Sequence, residues 1–189
     1  CAHHLEQQLF PITAWGTRYF AVHSPPRGSE PDYWRIIAGE DNTRLTTNPP
    51  VAGIDGEQLN AGEFVEAPVV ESFEIEATAP IMVGQFLVSQ QSAGVERTRG
   101  DPAFILASPV DGFRDNYVVL TPDGYASDYV TIIRPFGVPV LFDGAPATGF
   151  RTFGSGTYEY VHIEVEPGVH RISAEEPVGV AGYGYDGAV

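Results

Sequence analysis

Apolar and polar side chains alternate over several short stretches of the chain, and this period of two residues is typical of β-strands with one face in water. The clearest alternation runs over residues 73–77, where two glutamates separate three apolar side chains. Runs rich in Val, Ile, Tyr and Phe, bounded by Gly, Pro and Asn, predict further strands. In the first half of the chain these lie at residues 18–22, 33–38, 43–47, 63–65 and 81–88.

The second half of the chain repeats this order of strands. Residues 75–86 align without a gap on residues 172–183, and each segment ends its half. Three upstream matches keep the same order, namely 19–22 with 117–120, 34–37 with 130–133, and 62–65 with 156–159. The offset stays close to about 96 residues in all four matches, which predicts an internal duplication.

The predicted fold class is all-β, with two tandem antiparallel β-sandwich (jelly-roll-like) units related by internal duplication. We assign residues 1–14 to a connector segment, 15–92 to the first β-sandwich unit and 93–189 to the second. One larger sandwich with pseudo-twofold symmetry is the alternative arrangement. Two subdomains that share an interface fit the repeat better, because each copy supplies its own set of strands.

The composition agrees with short strands joined by tight turns, because 21 Gly and 16 Pro residues accompany many Val, Tyr and Phe residues. Helices are therefore expected to be scarce. No run reaches the roughly 18–20 apolar residues of a membrane-spanning helix, and no charged-then-apolar signal segment is present. The sequence predicts no membrane span.

The chain is strongly acidic, with a formal net charge of −15 at pH 7 and only ten Lys and Arg residues. Such a chain repels phosphate backbones, so nucleic acid is excluded as a partner. Carboxylates clustered on loops bind calcium, which is the one cofactor that the sequence suggests. The candidate ligands lack EF-hand spacing, and ordinary turn chemistry also explains them; they are Asp41, Asp111, Asp115, Asp123 and Asp128.

The sequence contains no pattern that predicts catalysis. His23, His162 and His170 lie on or beside predicted strands, and no nearby Ser or Cys occupies a Gly-x-Ser-x-Gly elbow. A glycosidase needs two carboxyl groups facing each other across a cleft. The strand glutamates, however, alternate with apolar residues as a solvated strand face does. We predict no catalytic residue and no enzyme activity, with a carbohydrate-active enzyme as the minor alternative.

The only cysteine is Cys1, so no disulfide forms within this chain. Two roles stay open for it. Cys1 is either the lipid-bearing first residue of a processed bacterial lipoprotein or one half of a disulfide whose partner lies in an upstream segment.

Aromatic residues that flank loops are the candidate ligand contacts, and they are Tyr33, Trp34, Tyr125 and Tyr129. Tyrosine and tryptophan combine a large apolar face with a polar atom, which suits them to protein or sugar surfaces. Core packing explains most of the other aromatic residues. We therefore expect any binding site to lie on loops at one end of the sandwiches.

Several motifs together resemble the IgGFc-binding protein N-terminal domain family, in its bacterial and particularly myxobacterial branch. They are HLEQQLFP at 4–11, WGTRY at 15–19, IIA at 36–38 with DNT at 41–43, and APIMVGQF at 79–86. The resemblance spans nearly the whole chain and implies an extracellular adhesion or binding role. It carries no catalytic or cofactor residue onto this chain.

These observations predict a non-enzymatic, secreted or cell-surface module of a bacterial protein that binds protein or glycan. The alternative is a structural protomer of an extracellular filament, sheath or shell. In that case exposed strand edges or duplicated faces would let copies self-associate, while the acidic surface keeps unassembled chains in solution.

Overall fold

The computed structural model describes residues 4–93 and 100–186. This part of the chain forms two antiparallel β-sheets of seven strands each. The prediction of an all-β fold with two tandem sandwich-like units related by duplication is confirmed. Cys1 lies outside the described residues, so both roles predicted for it stay predictions.

The first sheet contains the strands of the N-terminal half and has the order β4-β3-β6-β2-β5, with β1 and β7 also paired to β6. A short helix α1 (Gln90–Ala93) follows β6, and a 3-10 turn (Ile12–Ala14) precedes β1. The strands are Gly16–Ala21 (β1), Asp32–Ala38 (β2), Thr43–Asn48 (β3), Gln58–Leu59 (β4), Phe64–Val69 (β5), Phe73–Leu87 (β6) and Ala103–Leu106 (β7).

The second sheet repeats this topology with the order β11-β10-β14-β9-β13-β12, and β8 also pairs with β14. A second 3-10 turn (Val110–Gly112) leads into it. Its strands are Arg114–Thr121 (β8), Ser127–Pro135 (β9), Val140–Phe142 (β10), Ala145–Pro146 (β11), Arg151–Phe153 (β12), Tyr158–Val165 (β13) and Gly168–Tyr185 (β14).

One long strand runs through the middle of each unit and changes its partners along its length. The first part of β6 pairs with β1 and β3, and the last part pairs with β2 and β7. In the same way, β14 pairs with β8 and β10 and then with β9. The two strands predicted at residues 73–77 and 81–88 are therefore one continuous strand that belongs to both layers of its sandwich.

A buried tyrosine makes the same bridge in both units. The Tyr19 hydroxyl accepts a hydrogen bond from the Gly16 N–H at 3.1 Å and donates to the Ile81 carbonyl at 2.7 Å. The Tyr117 hydroxyl likewise accepts from the Arg114 N–H at 2.9 Å and donates to the Val178 carbonyl at 2.7 Å. Burial raises the pKa of Tyr19 to about 12, so the donating hydroxyl stays protonated at neutral pH.

Tyr19→Phe is expected to lower the free energy of unfolding by about 1–3 kcal/mol, because it leaves a buried N–H and a buried carbonyl without their shared partner. Tyr117→Phe is expected to cost less, because Tyr117 is only partly buried whereas Tyr19 is fully buried. Urea denaturation of both variants measures the difference. Unchanged stability in both would contradict a structural role for the bridge.

The register of the strands corrects one of the four predicted matches. Ile37 pairs with Phe64 in the first unit, and Ile133 pairs with Tyr160 in the second. Phe64 therefore corresponds to Tyr160, and the predicted match of residues 62–65 with 156–159 is wrong by two residues. Gly62 and Gly156 therefore do not mark equivalent positions in the two units.

Each unit has its own apolar core, and a third cluster joins the units. The first core includes Trp34, Leu45 and Phe73, and the second includes Val130, Ile132 and Ile172. The third cluster is centred on the buried side chains of Phe20, Val22 and Phe113. The two units therefore share an apolar interface, as the interpretation of two adjoining subdomains predicts.

The predicted division between residues 92 and 93 stays a prediction. Strand β7 follows that division in sequence but hydrogen-bonds to β6 of the first sheet. The connector predicted at residues 1–14 includes the 3-10 turn, and beside it the Trp15 indole N–H donates to the Phe10 carbonyl at 2.8 Å.

Candidate functional site

The loop between β1 and β2 is held by a buried carboxylate. Asp32 is fully buried and accepts hydrogen bonds from the Ser24 N–H at 2.7 Å, from the Ser24 hydroxyl at 2.9 Å and from the Gln85 amide at 2.7 Å. A buried carboxylate is stable only when it is paired or well hydrogen-bonded. The loop therefore packs as part of the protein interior.

The same loop contains a buried ion pair. The Arg27 and Glu30 side chains are 2% and 0% exposed, and the Arg27 Nε lies 3.1 Å from the Glu30 Oε1. Glu30 also accepts the backbone N–H groups of Arg27 and Gly28, each at 2.7 Å. Burial raises the pKa of Glu30, but these hydrogen bonds together outweigh it, and the pKa lies below its ordinary value. Glu30 is therefore ionised at neutral pH.

Arg27 also connects the first unit to the second. Its guanidinium donates to the Val88 carbonyl at 2.7 Å and to the Gly100 carbonyl at 3.2 Å. It lies 4.7 Å from the centre of the Tyr185 ring on β14, within the range of a cation–π contact. The Tyr185 hydroxyl in turn donates to the Pro25 carbonyl at 3.0 Å. The β1–β2 loop is thus fixed against the last strand of the chain.

A cleft of about 690 Å³ opens beside this loop, between the two units. The first unit contributes its β1–β2 loop, the chain around Asn48 and the turn before β6, and the second contributes β12 and the outward side chains of β13. Residues from both units line it, including His23, Val70, Glu71, Arg151, Tyr160 and His162. Val70, Glu71 and Arg151 are exposed to solvent, so the cleft offers an apolar surface and both signs of charge.

Two histidines form part of the floor of the cleft. The His23 Nδ1 lies 2.7 Å from the Ser24 carbonyl oxygen, and its Nε2 lies 3.0 Å from the Glu30 carbonyl oxygen. The His162 Nδ1 lies 2.7 Å from the Thr131 hydroxyl. Burial is the main cause that lowers the pKa of His162 to about 4, and the neighbouring His23 and Arg151 also contribute. His162 is therefore neutral at physiological pH.

Two hydroxyl groups beside the cleft are hydrogen-bonded to other side chains. Thr131, the partner of His162, is only 4% exposed. The Ser155 hydroxyl lies 2.6 Å from the carboxylate of Glu74.

The predicted ligand contacts do not converge on this cleft. The structure corrects the prediction that Trp34 contacts a ligand. Its side chain is 1% exposed and packs edge-on against Phe73 in the first core. Tyr33, on the opposite face of β2, is 38% exposed. Tyr125 is 49% exposed, and Tyr129 contacts Tyr185 with ring centres 5.9 Å apart. Tyr33 and the Tyr125–Tyr129 pair lie on different units, so their role in binding stays a prediction.

The predicted calcium ligands are scattered. The Asp41 carboxylate closes a turn by accepting the Ala61 N–H at 3.0 Å, and Asp128 is buried, which raises its pKa. Asp111 lies in the Val110–Gly112 turn, whereas Asp115 on β8 and Asp123 in a turn are exposed. Across residues 4–93 and 100–186, no group of three or more His, Cys, Asp or Glu side chains could hold a metal ion. Calcium binding stays a prediction.

The sequence pattern gives little indication of the residues at and beside the cleft. Arg27 and Glu30 lie three residues apart in a Pro- and Gly-rich segment, which reads as an ordinary surface loop. Their burial depends on the second unit, which no local pattern reports. His23 and His162 attract attention only as catalytic candidates, whereas the structure places them in one cleft. No helix within the described ranges is long and apolar enough to cross a membrane.

Comparison with known proteins identifies relatives of this chain. A family model described as IgGFc binding protein matches residues 1–184. The human protein named IgGFc-binding protein is 26% identical over 194 residues, which cover 98% of this chain and 4% of that protein. The chain therefore spans a small fraction of the length of this relative.

Similarity to solved structures is remote. The apo form of the Pleurotus ostreatus lectin POL matches 89% of this chain and 71% of its own at 11% identity, with a TM-score of 0.25. An anti-sigma factor domain-containing protein from Clostridium clariflavum matches 90% of this chain and 79% of its own at 10% identity, with a TM-score of 0.23. TM-scores this low identify neither a shared fold nor a shared function.

Proposed function

Because the chain belongs to the IgGFc-binding protein family, we propose that it is a non-enzymatic binding module that holds a protein or glycan partner in the cleft between its two units. Its setting in this proposal is extracellular, either secreted or on the cell surface. The bacterial origin that we propose rests on the motif resemblance alone.

The observation that carries this proposal is the construction of the cleft. Binding sites are commonly clefts of roughly 300–1,000 Å³ at the junction of two domains, and the volume here lies in that range. The buried Arg27–Glu30 pair and the Asp32 hydrogen bonds fix one wall, so little conformational entropy is lost when a partner binds. A fixed wall with exposed mixed side chains suits an extended peptide, a protein loop or a short glycan.

Charge narrows the class of partner. The net charge of −15 favours the approach of neutral or basic surfaces and disfavours acidic ones. Arg151 is an exposed cation in the cleft, and it is suited to a carbonyl, hydroxyl or single carboxylate of the partner. We therefore propose a partner that is neutral or basic overall and that places a hydrogen-bond acceptor against Arg151.

Arg151→Glu is expected to weaken binding by about tenfold or more, because it reverses the exposed charge that meets the partner. The measurement screens the intact chain against immunoglobulin G Fc and against arrays of extracellular proteins and glycans, followed by titration of each probe that binds. Arg44→Glu is the matched control, since Arg44 is exposed on β3 and does not line the cleft. Equal weakening by both variants, or the absence of any bound probe, would contradict the proposal.

A structural protomer is the second candidate function. The observation that favours it is a group of exposed apolar side chains on β8 and β14, away from the cleft. Single exposed apolar residues are ordinary, whereas a contiguous group on a sheet face marks a contact surface.

A further inference from the structure

Strand β8 of the second unit occupies the position that β1 occupies in the first. Tyr19 on β1 and Tyr117 on β8 make the same hydrogen-bonded bridge. The residue after each tyrosine is paired in the same way, since Phe20 lies opposite Glu74 and Val118 lies opposite Arg171. Phe20 and Val118 are therefore equivalent, and so are Val22 and Leu120 two residues later.

These equivalent positions differ sharply in exposure. Phe20 and Val22 are 4% and 7% exposed because the second unit covers them. The Phe20 ring lies 4.2 Å from the Tyr158 ring and 5.5 Å from the Phe153 ring, measured between ring centres. Val118 and Leu120 are instead 64% and 72% exposed. The surface that is buried in the first unit is therefore exposed in the second unit.

Val169 extends this exposed surface. It lies directly opposite Leu120 in the β8–β14 ladder and is 59% exposed. Residues opposite each other in an antiparallel ladder lie on the same face of the sheet. Val118, Leu120 and Val169 therefore form one apolar surface, which we call the donor face.

The first unit carries a counterpart of part of the surface that covers Phe20, although Gly62 holds the position of Tyr158. In the second unit this covering surface includes the cross-strand pair of Ile133 and Tyr160. The equivalent pair in the first unit is Ile37 and Phe64, and Phe64 is 55% exposed. They line a groove of about 330 Å³ together with Leu9, Met82 and Phe86, and we call this groove the receiving face.

The charges at the two faces differ from those at the contact between the units. In the contact between the units, the Glu74 carboxylate accepts the Ser155 N–H at 3.0 Å and its hydroxyl at 2.6 Å, in the turn before β13. Arg171 holds the position of Glu74 on the donor face. Arg35 lines the receiving face, where its guanidinium lies 4.9 Å from the centres of the Phe64 and Phe86 rings and 2.7 Å from the Glu66 carboxylate.

We propose that copies of this chain associate head to tail, with the donor face of one copy seated on the receiving face of the next. The occupant is a second copy of this chain because the donor face is equivalent to the surface around Phe20 that the second unit already covers, and because the same molecule also presents the exposed Phe64 of the receiving face. The two faces differ, so the contact is heterologous, and repeating it adds copies beyond a dimer. This association is independent of the proposed cleft.

The oligomeric state of the intact chain tests the proposal. Light scattering from about 1 μM to about 1 mM, with reducing agent present to exclude bonding through Cys1, should show a mass that keeps rising beyond that of a dimer. Leu120→Asp and Phe64→Asp should each stay monomeric, because a buried unpaired carboxylate opposes the contact. Phe136→Asp is the matched control, since Phe136 is 65% exposed and belongs to neither face.

Mixing the two variants gives the sharpest result. Leu120→Asp keeps its receiving face and Phe64→Asp keeps its donor face, so an equimolar mixture should form a heterodimer and stop there. Circular dichroism of each variant alone confirms that it is folded. A monomeric wild type over the whole range, a mass that levels off at a dimer, or a mixture that stays monomeric would each overturn the proposal.

Discussion

Arg27→Met is expected to lower the free energy of unfolding by about 3–5 kcal/mol, because it leaves the carboxylate of Glu30 charged and buried without its cation. The Glu30 side chain is 0% exposed, so in the folded protein its charge is compensated by the guanidinium and not by bulk water. The substitution also removes the hydrogen bonds to the Val88 and Gly100 carbonyls and the contact with the Tyr185 ring. Chemical denaturation of the variant measures the loss.

The double variant Arg27→Met with Glu30→Leu separates the charge from the packing. Replacing both members of a buried ion pair by apolar residues is often close to neutral. The double variant should therefore recover much of the stability that Arg27→Met loses. If it is no more stable than the single variant, the unpaired charge is not the cause of the loss.

The pH dependence of stability gives a second measurement of the same pair. The pKa of Glu30 lies below its ordinary value in the folded protein, so its contribution to stability is fully present above the unfolded-state pKa. That contribution disappears as the pH falls through the lowered pKa of the folded state. Glu30→Gln should flatten this part of the acid unfolding curve, which denaturant titrations at a series of acidic pH values would show.

Trp34→Ala is expected to cost about 3–5 kcal/mol, since it removes the largest fully buried side chain of the first core. Its neighbour supplies the matched control. Tyr33→Ala should cost about 1 kcal/mol or less, because Tyr33 is 38% exposed on the opposite face of the same strand. Thermal or urea unfolding of the two variants measures the contrast, and similar losses would contradict the orientation of β2.

The contrast between Tyr33 and Trp34 marks the limit of what the sequence predicts here. Alternation along β2 shows that the two side chains point in opposite directions, but it does not show which direction faces the core. Both residues flank a loop and both are aromatic, so the sequence assigns both to ligand contact. The strands that pack against β2 determine which face is buried, and Trp34 contacts Phe73 of the neighbouring β6.

The repeat, in contrast, can be predicted from the sequence, because similar segments recur in the same order in both halves of the chain. The gapless match of residues 75–86 with 172–183 corresponds to the equivalent parts of β6 and β14. The cleft is not predictable in this way, because His23 and His162 are 139 positions apart in sequence. Their proximity arises from the interface around Phe20, whose burial is a property of two units and not of either one.

The central position of β6 and β14 sets an order of events on the ribosome. Each of these strands is the last of the six that the two units have in common to be synthesised, yet β1 and β3 pair with β6, and β8 and β10 pair with β14. The strands that are made first therefore keep their apolar faces uncovered until β6 or β14 has been synthesised and can pair with them. The second unit closes only when the chain has been made nearly to residue 185. A nascent chain that stalls before β14 thus carries a finished first unit and an unfinished second one.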